Sequence, residues 1–218
     1  MPEEQKPEGA QSPEAAPAKP TPPPAQAAPA TPPPAPPKPA AKPPAAPAPP
    51  PPPPAWEDDL PNALKEEFGE KVTEFIAYQG QPSFVAHAES AHDVIDSLRD
   101  VYEFDYLVDI TATHWPKREA AFDIIYVLYS FSRNQRIRMK VQLKEGERPR
   151  SCVDLYPTAN WLEREVFDMF GVEFDAHPYM RRILLPDEWT GYPLRKDRTI
   201  LDMDNLWVQE NLGIESGQ

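Results

Sequence analysis

The sequence predicts an α+β fold: one domain on a mostly antiparallel sheet with flanking helices, an extended C-terminal segment and a disordered Pro/Ala-rich N-terminal tail. Three observations lead there. Residues 1–54 hold 24 of the 32 prolines and no Phe, Trp or Tyr. Residues 136–143, RIRMKVQL, alternate strictly between apolar and polar side chains, as a strand with one buried face does. Residues 159–170 carry apolar side chains at helical spacing and end at Gly171.

A folded core needs large apolar side chains to offset ordering entropy, and residues 1–54 lack them. They are therefore read as a tail, with residues 55–218 as the domain. Proline holds φ near about −65° and removes an amide donor, so the tail favours polyproline II conformations. It suits a semi-rigid spacer, with a PxxP ligand for a partner's groove as the functional alternative. Lys6, Lys19, Lys38 and Lys42 balance Glu3, Glu4, Glu8 and Glu14, so the net charge of −13 belongs to residues 55–218. Such an acidic domain is a poor match for nucleic acid, whose phosphates need a basic surface.

Cys152 is the single cysteine. It allows no intrachain disulfide, and one thiolate falls short of the roughly four that hold an iron–sulfur cluster. It is read as a small buried apolar residue. No apolar run approaches the roughly 18–20 residues that cross a bilayer. The longest, Ala120–Phe131, is interrupted by Asp123, and the N-terminus shows no basic-then-apolar signal pattern. The expectation is a soluble, cytoplasmic chain that meets a membrane only through partners.

Along the domain, LPNALKEEFGE suggests a short helix with Leu64 and Phe68 on one face, and VTEFIAYQGQPSFVAHA suggests two strands around Gly80–Pro82. SAHDVIDSLRDVYE reads as a helix opened by a Ser90/Asp93 capping box, with Val94, Ile95, Leu98, Val101 and Tyr102 along its apolar stripe. Residues 106–112, 122–131 and 136–143 read as strands, the last two joined by a hairpin at SRNQ, and residues 151–157 as a further strand. In the helix from Asn160, Asn160 is the expected cap, Leu162, Val166, Met169 and Phe170 line the buried face, and Gly171 ends it in the left-handed conformation. Pro178, Pro186 and Pro193 then forbid long helices, so the chain beyond should lie extended over a surface.

Motifs for a P-loop, a dinucleotide glycine fingerprint, H-E-x-x-H and C-x-x-C are absent. Residues 159–198 are ANWLEREVFDMFGVEFDAHPYMRRILLPDEWTGYPLRKDR. This run resembles the signature of the 30 kDa subunit family of respiratory NADH:quinone oxidoreductase, complex I. The matching residues are Glu163, Arg164, Glu165, Asp168, Met169, Phe170, His177, Arg181, Ile183 and Leu184, followed by GYPLRKD at 191–197. The resemblance implies a subunit of the hydrophilic arm without catalytic residues or cofactor of its own. It would pack beside the subunits that hold the terminal iron–sulfur cluster and the quinone site. NADH, FMN, the clusters and quinone would belong to those partners, with the complex on the cytoplasmic side of the inner membrane.

With that resemblance, Arg164 and Asp168, spaced i,i+4, are read with Glu163 and Glu165 as forming interface ion pairs rather than a solvated helix face. His177 is read as a structural residue hydrogen-bonded to a carboxylate or carbonyl. Arg181, Arg182, Arg195 and Lys196 are read as partner contacts, with local charge balance against Asp187, Glu188 and Asp197 as the plainer alternative. Trp161, Trp189, Trp207, Tyr179 and Tyr192 serve either as interface anchors or as packing on the domain's own sheet. Three other functions fit the residues less well. One is the equivalent subunit of a related membrane-bound hydrogenase or dehydrogenase. Another is a stand-alone enzyme using Glu163, Glu165 and His177 at an acid/base or metal site. The third is an adaptor working through the tail.

Overall fold

The computed structural model describes residues 52–198 and residues 209, 210 and 213. The tail up to residue 51 and Trp207 lie outside the described residues. Elements run in the order α1 (Asp59–Phe68), β1 (Val72–Tyr78), β2 (Gln81–Ala86), α2 (Ala91–Asp100), β3 (Tyr106–His114), β4 (Phe122–Ser130), β5 (Gln135–Leu143) and α3 (Ala159–Phe170). They form an α+β fold on one five-stranded sheet, ordered β1-β2-β5-β4-β3. Three neighbouring pairs are antiparallel, and β2 runs parallel to β5.

The period-2 pattern of β5 sets the inner face of the sheet. Ile137, Met139, Val141 and Leu143 are wholly buried, while Arg136, Arg138 and Gln142 are exposed. Ile124, Tyr126 and Leu128 of β4 and Phe84 and Ala86 of β2 complete that inner layer. Residues 54–56 extend the sheet beyond its expected boundary, because the Pro54 carbonyl accepts from the Ala77 amide at 2.9 Å and Ala55 bridges Ile76.

Four local expectations change. Ser90 is not a capping residue: it closes a short 3-10 turn in a helical conformation, and its hydroxyl donates to the His87 carbonyl at 3.1 Å. A capping side chain needs an extended backbone, which that turn removes. Val101 lies just past α2 and is 64% exposed; the chain turns there and returns Phe104, wholly buried, to the core.

Residues 151–157 form a turn, not a strand. The amides of Leu155 and Tyr156 donate back to the Cys152 carbonyl at 3.0 and 2.8 Å. Asn160 does not cap α3, which starts one residue earlier after Thr158. Its first amides donate to carbonyls three residues back, Ala159 to Tyr156 at 2.9 Å and Asn160 to Pro157 at 3.3 Å, so they need no side-chain cap. Gly171 does close α3 in the left-handed conformation at φ 78°. A Cβ at Gly171 would also fall 2.5 Å from the Tyr192 ring, so glycine is required there twice over. Beyond it, residues 172–198 contain no helix or strand and lie against the core.

Leu98→Ala is expected to cost about 2–5 kcal/mol in urea unfolding, because Leu98 is wholly buried. Val101→Ala should stay within about 0.5 kcal/mol.

Candidate functional site

Helix α3 carries two carboxylates, Glu163 and Asp168, that are both wholly buried. Five residues apart on a helix of about 3.6 residues per turn, they leave it in different directions and hold different stretches of chain. The Glu163 carboxylate accepts from the Ser151 hydroxyl at 2.6 Å, the Cys152 amide at 2.8 Å and the Cys152 thiol at 3.1 Å. The His177 side chain, also wholly buried, lies with Nε2 3.9 Å from Glu163 Oε2. Its Nδ1 accepts from the Tyr179 amide at 3.0 Å, which leaves Nε2 to donate to the Asn160 carbonyl at 3.2 Å. Glu163 and His177 together fasten the turn at 151–152 and the chain at 177–179 to α3. Burial raises the Glu163 pKa above the ordinary carboxylate range despite the three donors. Burial, with the Glu163 carboxyl beside it, raises the Cys152 thiol too, so it stays protonated.

Asp168 sits in a denser set of donors. Its Oδ2 accepts from three consecutive amides, Ile183 at 3.0 Å, Leu184 at 2.8 Å and Leu185 at 2.9 Å. Its Oδ1 takes Arg182 Nη1 at 2.6 Å. Burial alone would raise this pKa, but the amides of Leu185 and Leu184, the Arg182 guanidinium and the Ile183 amide more than offset it, so it lies below the usual range. Arg182 also donates to the Gly191 carbonyl at 3.1 Å, joining residues 182 and 191.

The expected Arg164–Asp168 pair therefore does not form. Arg164 instead donates through Nε to the Arg181 carbonyl and through Nη2 to the Arg182 carbonyl, each at 3.0 Å. The reading of Glu163, Asp168 and Arg182 as interface charges gives way to internal bonding: both carboxylates are wholly buried and the Arg182 side chain is only 13% exposed. Glu165 is exposed and takes no part in either cluster.

Further along, the pairings differ from the plainer alternative of charge balance with Asp187, Glu188 and Asp197. Arg195 pairs with Glu145 and lies over the rings of Phe122 and Tyr192. The Lys196 amide donates to His114 Nδ1 at 2.9 Å, and an Asp197 oxygen lies 3.7 Å from the same nitrogen. The Leu194 amide donates to the Met169 carbonyl at 3.1 Å, closing the segment onto the end of α3.

What remains outward is apolar and aromatic. Trp161 is 68% exposed and Leu184 61%, with Tyr179 and Ile183 also exposed. Two guanidinium groups lie over the Tyr179 ring, Arg181 at 4.9 Å and Arg164 at 5.3 Å from its centroid. Trp189, by contrast, is buried in the chain itself.

Glu163, Glu165 and His177 do not converge on one accessible point. Two are sealed from solvent and the third is exposed away from them, so no substrate reaches the set. Among the described residues no group of three or more His, Cys, Asp or Glu side chains is placed to hold a metal ion. None of their helices is long and apolar enough to cross a membrane.

The model of the family described as the 30 kDa subunit of respiratory-chain NADH dehydrogenase matches residues 84–202, more than half of the chain. The chain belongs to this family. A corresponding NADH-quinone oxidoreductase subunit from Citrifermentans bemidjiense is 37% identical over 135 residues, which are 62% of this chain and 84% of that one. Its counterpart from Phenylobacterium zucineum is 49% identical over 110 residues, 49% of this chain and 53% of that one. The chain thus spans about half the length of the latter relative. A solved chain of the membrane-bound sulfane sulfur reductase, an archaeal respiratory membrane complex, superposes with a TM-score of 0.59. It is 23% identical and covers 73% of this chain and 93% of that one, which establishes likeness of fold. The matched span of this 30 kDa-family chain runs from β2 to beyond the segment that Glu163 and Asp168 hold.

Spacing along the helix does not reveal that Asp168 reaches Arg182. For Glu163 one signal exists: three residues before Val166 and seven before Phe170, it lies on the helix face of those buried side chains.

Asp168→Asn is expected to cost about 3–5 kcal/mol, since it leaves a nearly buried guanidinium without its carboxylate. Because the folded pKa of Asp168 is depressed, its stabilisation is complete above the ordinary carboxylate pKa and is lost as pH falls through the depressed value. The gap between wild type and Asp168→Asn in urea unfolding should therefore narrow in acid. Glu163 has the opposite sign: its folded pKa is raised, so its contribution is fullest in acid and is lost as pH rises through that raised value. Glu163→Gln should flatten that loss in a pH series of unfolding midpoints.

Proposed function

We propose that this chain is a non-catalytic structural subunit in the hydrophilic arm of a proton-translocating NADH:quinone oxidoreductase. It packs beside the subunits that hold the terminal iron–sulfur cluster and the quinone site. Electrons pass from NADH to quinone through those partners, which bind NADH, FMN, the clusters and quinone. The chain is peripheral, on the cytoplasmic side of the inner membrane, and meets the membrane through the complex. Its tail, residues 1–54, acts as a spacer ahead of the domain of residues 55–218, joined to it where the Pro54 carbonyl meets the sheet.

One observation carries this reading: the two buried signature carboxylates are spent on internal bonds that display Trp161, Tyr179, Ile183 and Leu184 to the outside. Exposed aromatic and aliphatic side chains beside arginine are the usual anchors of a protein interface. Glu163, Asp168, His177 and Arg182 position this surface, while Arg181 belongs to it and Arg164 braces it from beneath. Arg195, Lys196 and Asp197 continue the surface past the end of α3. Glu165 supplies an outward charge at its rim.

Arg164→Ala removes two bonds to the 181–182 carbonyls, at a cost of about 1–3 kcal/mol. In membranes it should lower the amount of assembled complex and leave NADH:quinone reductase activity per assembled complex unchanged. Leu184→Asp should do the same without lowering the stability of the isolated chain. Normal assembly with collapsed turnover in either variant would refute the scaffold role. Native gels read for both protein and activity separate the two outcomes.

A further inference from the structure

The strict alternation of β5 has an outer half as well as an inner one. Arg136 and Arg138 are exposed on the face opposite the core, and the Lys140 side chain is 38% exposed. The strand register assigns their neighbours. Arg136 lies opposite Tyr129, Arg138 opposite Val127 and Lys140 opposite Ile125. On the other side, Arg138 is beside Ser83 and Lys140 beside Val85, and Ser83 is beside Ile76. On β3, Tyr106 continues the row of Tyr129, and Asp109 that of Val127.

The outer face is thus a central basic stripe set among aliphatic side chains, with a shallow hollow of about 170 Å³ lined by Ile76, Val85, Ile125, Arg138 and Lys140 among others. Phe131, 65% exposed, packs against Tyr106 and Tyr129 at ring-centroid distances of 5.9 and 5.0 Å and closes one end.

Two of the three cations on this face have no partner of opposite charge among the described residues. Among the described residues Arg136 and Arg138 make no ion pair or side-chain hydrogen bond. Lys140 is 3.9 Å from Asp123, whose carboxylate already takes Arg118 at 2.5 Å and the Trp115 indole at 3.1 Å. Glu74 of edge strand β1 lines the same hollow as Arg138 and Lys140, and Asp109 of the other edge strand, β3, flanks the stripe. In a chain of net charge −13, exposed Arg136 and Arg138 without a partner among the described residues, in line with the half-exposed Lys140 over aliphatic side chains, are a local reversal of sign.

We propose that this outer sheet face docks an acidic amphipathic segment of a protein partner, at a place separate from the α3 surface. Cations at alternate strand positions are spaced by about 6.6 Å. Carboxylates at i and i+4 on a helix are spaced by about 6 Å along its axis, so such a ridge meets the stripe in register. The apolar side chains between those carboxylates would cover the half-buried Ile76, Ile125 and Val127. The flanking Glu74 and Asp109 disfavour a planar anionic lipid surface, and the overall acidity disfavours nucleic acid.

The test uses the full chain and a fluorescein-labelled helical peptide with Glu at i,i+4 spacing and Leu between, read by fluorescence anisotropy. The same peptide with Lys in place of Glu is the control ligand. The triple variant Arg136→Gln, Arg138→Gln, Lys140→Gln should bind the Glu peptide about tenfold more weakly than wild type, the loss expected when three exposed charge pairs are removed together. The triple variant Lys65→Gln, Lys71→Gln, Lys117→Gln, which makes the same change in net charge elsewhere, should stay within about twofold. Equal weakening by both variants, or equal binding of the Lys peptide, would overturn the proposal. So would no binding of the Glu peptide, or stripe-dependent binding to mixed zwitterionic and anionic phospholipid vesicles in its place. Sedimentation showing a dimer that the stripe variant dissociates would assign the face to a second copy of this chain and overturn it as well.

Discussion

One carboxylate oxygen, Oδ2 of Asp168, accepting from the amides of Ile183, Leu184 and Leu185, is the interaction on which the shape of the exposed α3 surface depends. Residues 172–198 have no helix or strand to satisfy their backbone, and buried amides without acceptors are costly. A helix carboxylate supplies the acceptor that a neighbouring strand would otherwise provide. Arg182 neutralises the charge from the same segment, so the segment carries both the amides and the counterion. The backbone of residues 182–185 is thereby turned toward α3, and Ile183 and Leu184 face outward.

Glu163 solves a related problem with a different balance. It also binds an irregular stretch to α3, but its donors are one amide, one hydroxyl and one thiol, with His177 just beyond hydrogen-bond reach. Burial outweighs these donors at Glu163, whereas at Asp168 the amides and guanidinium outweigh burial. The two carboxylates on one helix therefore respond to pH in opposite senses. The chain that crosses α3 is fixed at both ends, at 177–179 by His177 donating to the Asn160 carbonyl and at 182–185 by Asp168. Arg164 adds the carbonyls of 181 and 182 to the same helix. The signature thus works as a set of internal fasteners, and the side chains those fasteners leave exposed form the surface proposed for partner subunits.

Elements with a repeating period were legible in the sequence. The alternation of β5, the apolar spacing of α3 and the glycine that ends it appear in the structure as the pattern implies. Features governed by distant partners were not legible. Residues 151–157 have the composition of a strand, yet the Cys152 amide is taken by Glu163 and the chain turns. The i,i+4 spacing of Arg164 and Asp168 suggests a pair, yet Asp168 finds better donors in a stretch fourteen residues and more away. Asn160 lost its capping role because Pro157 and Thr158 already form a tight first turn. The family signature was recognisable residue by residue; its burial was not, because acids on a helix read as solvent-facing until their donors are known.

The most direct measurement is amide hydrogen exchange at Ile183, Leu184 and Leu185 in the full chain, with and without Asp168→Asn. The account predicts slow exchange at all three amides in the wild type and fast exchange at all three in the variant, with the core amides of β4 and β5 still protected. Fast exchange at these amides in the wild type, or unchanged protection in the variant, would contradict it.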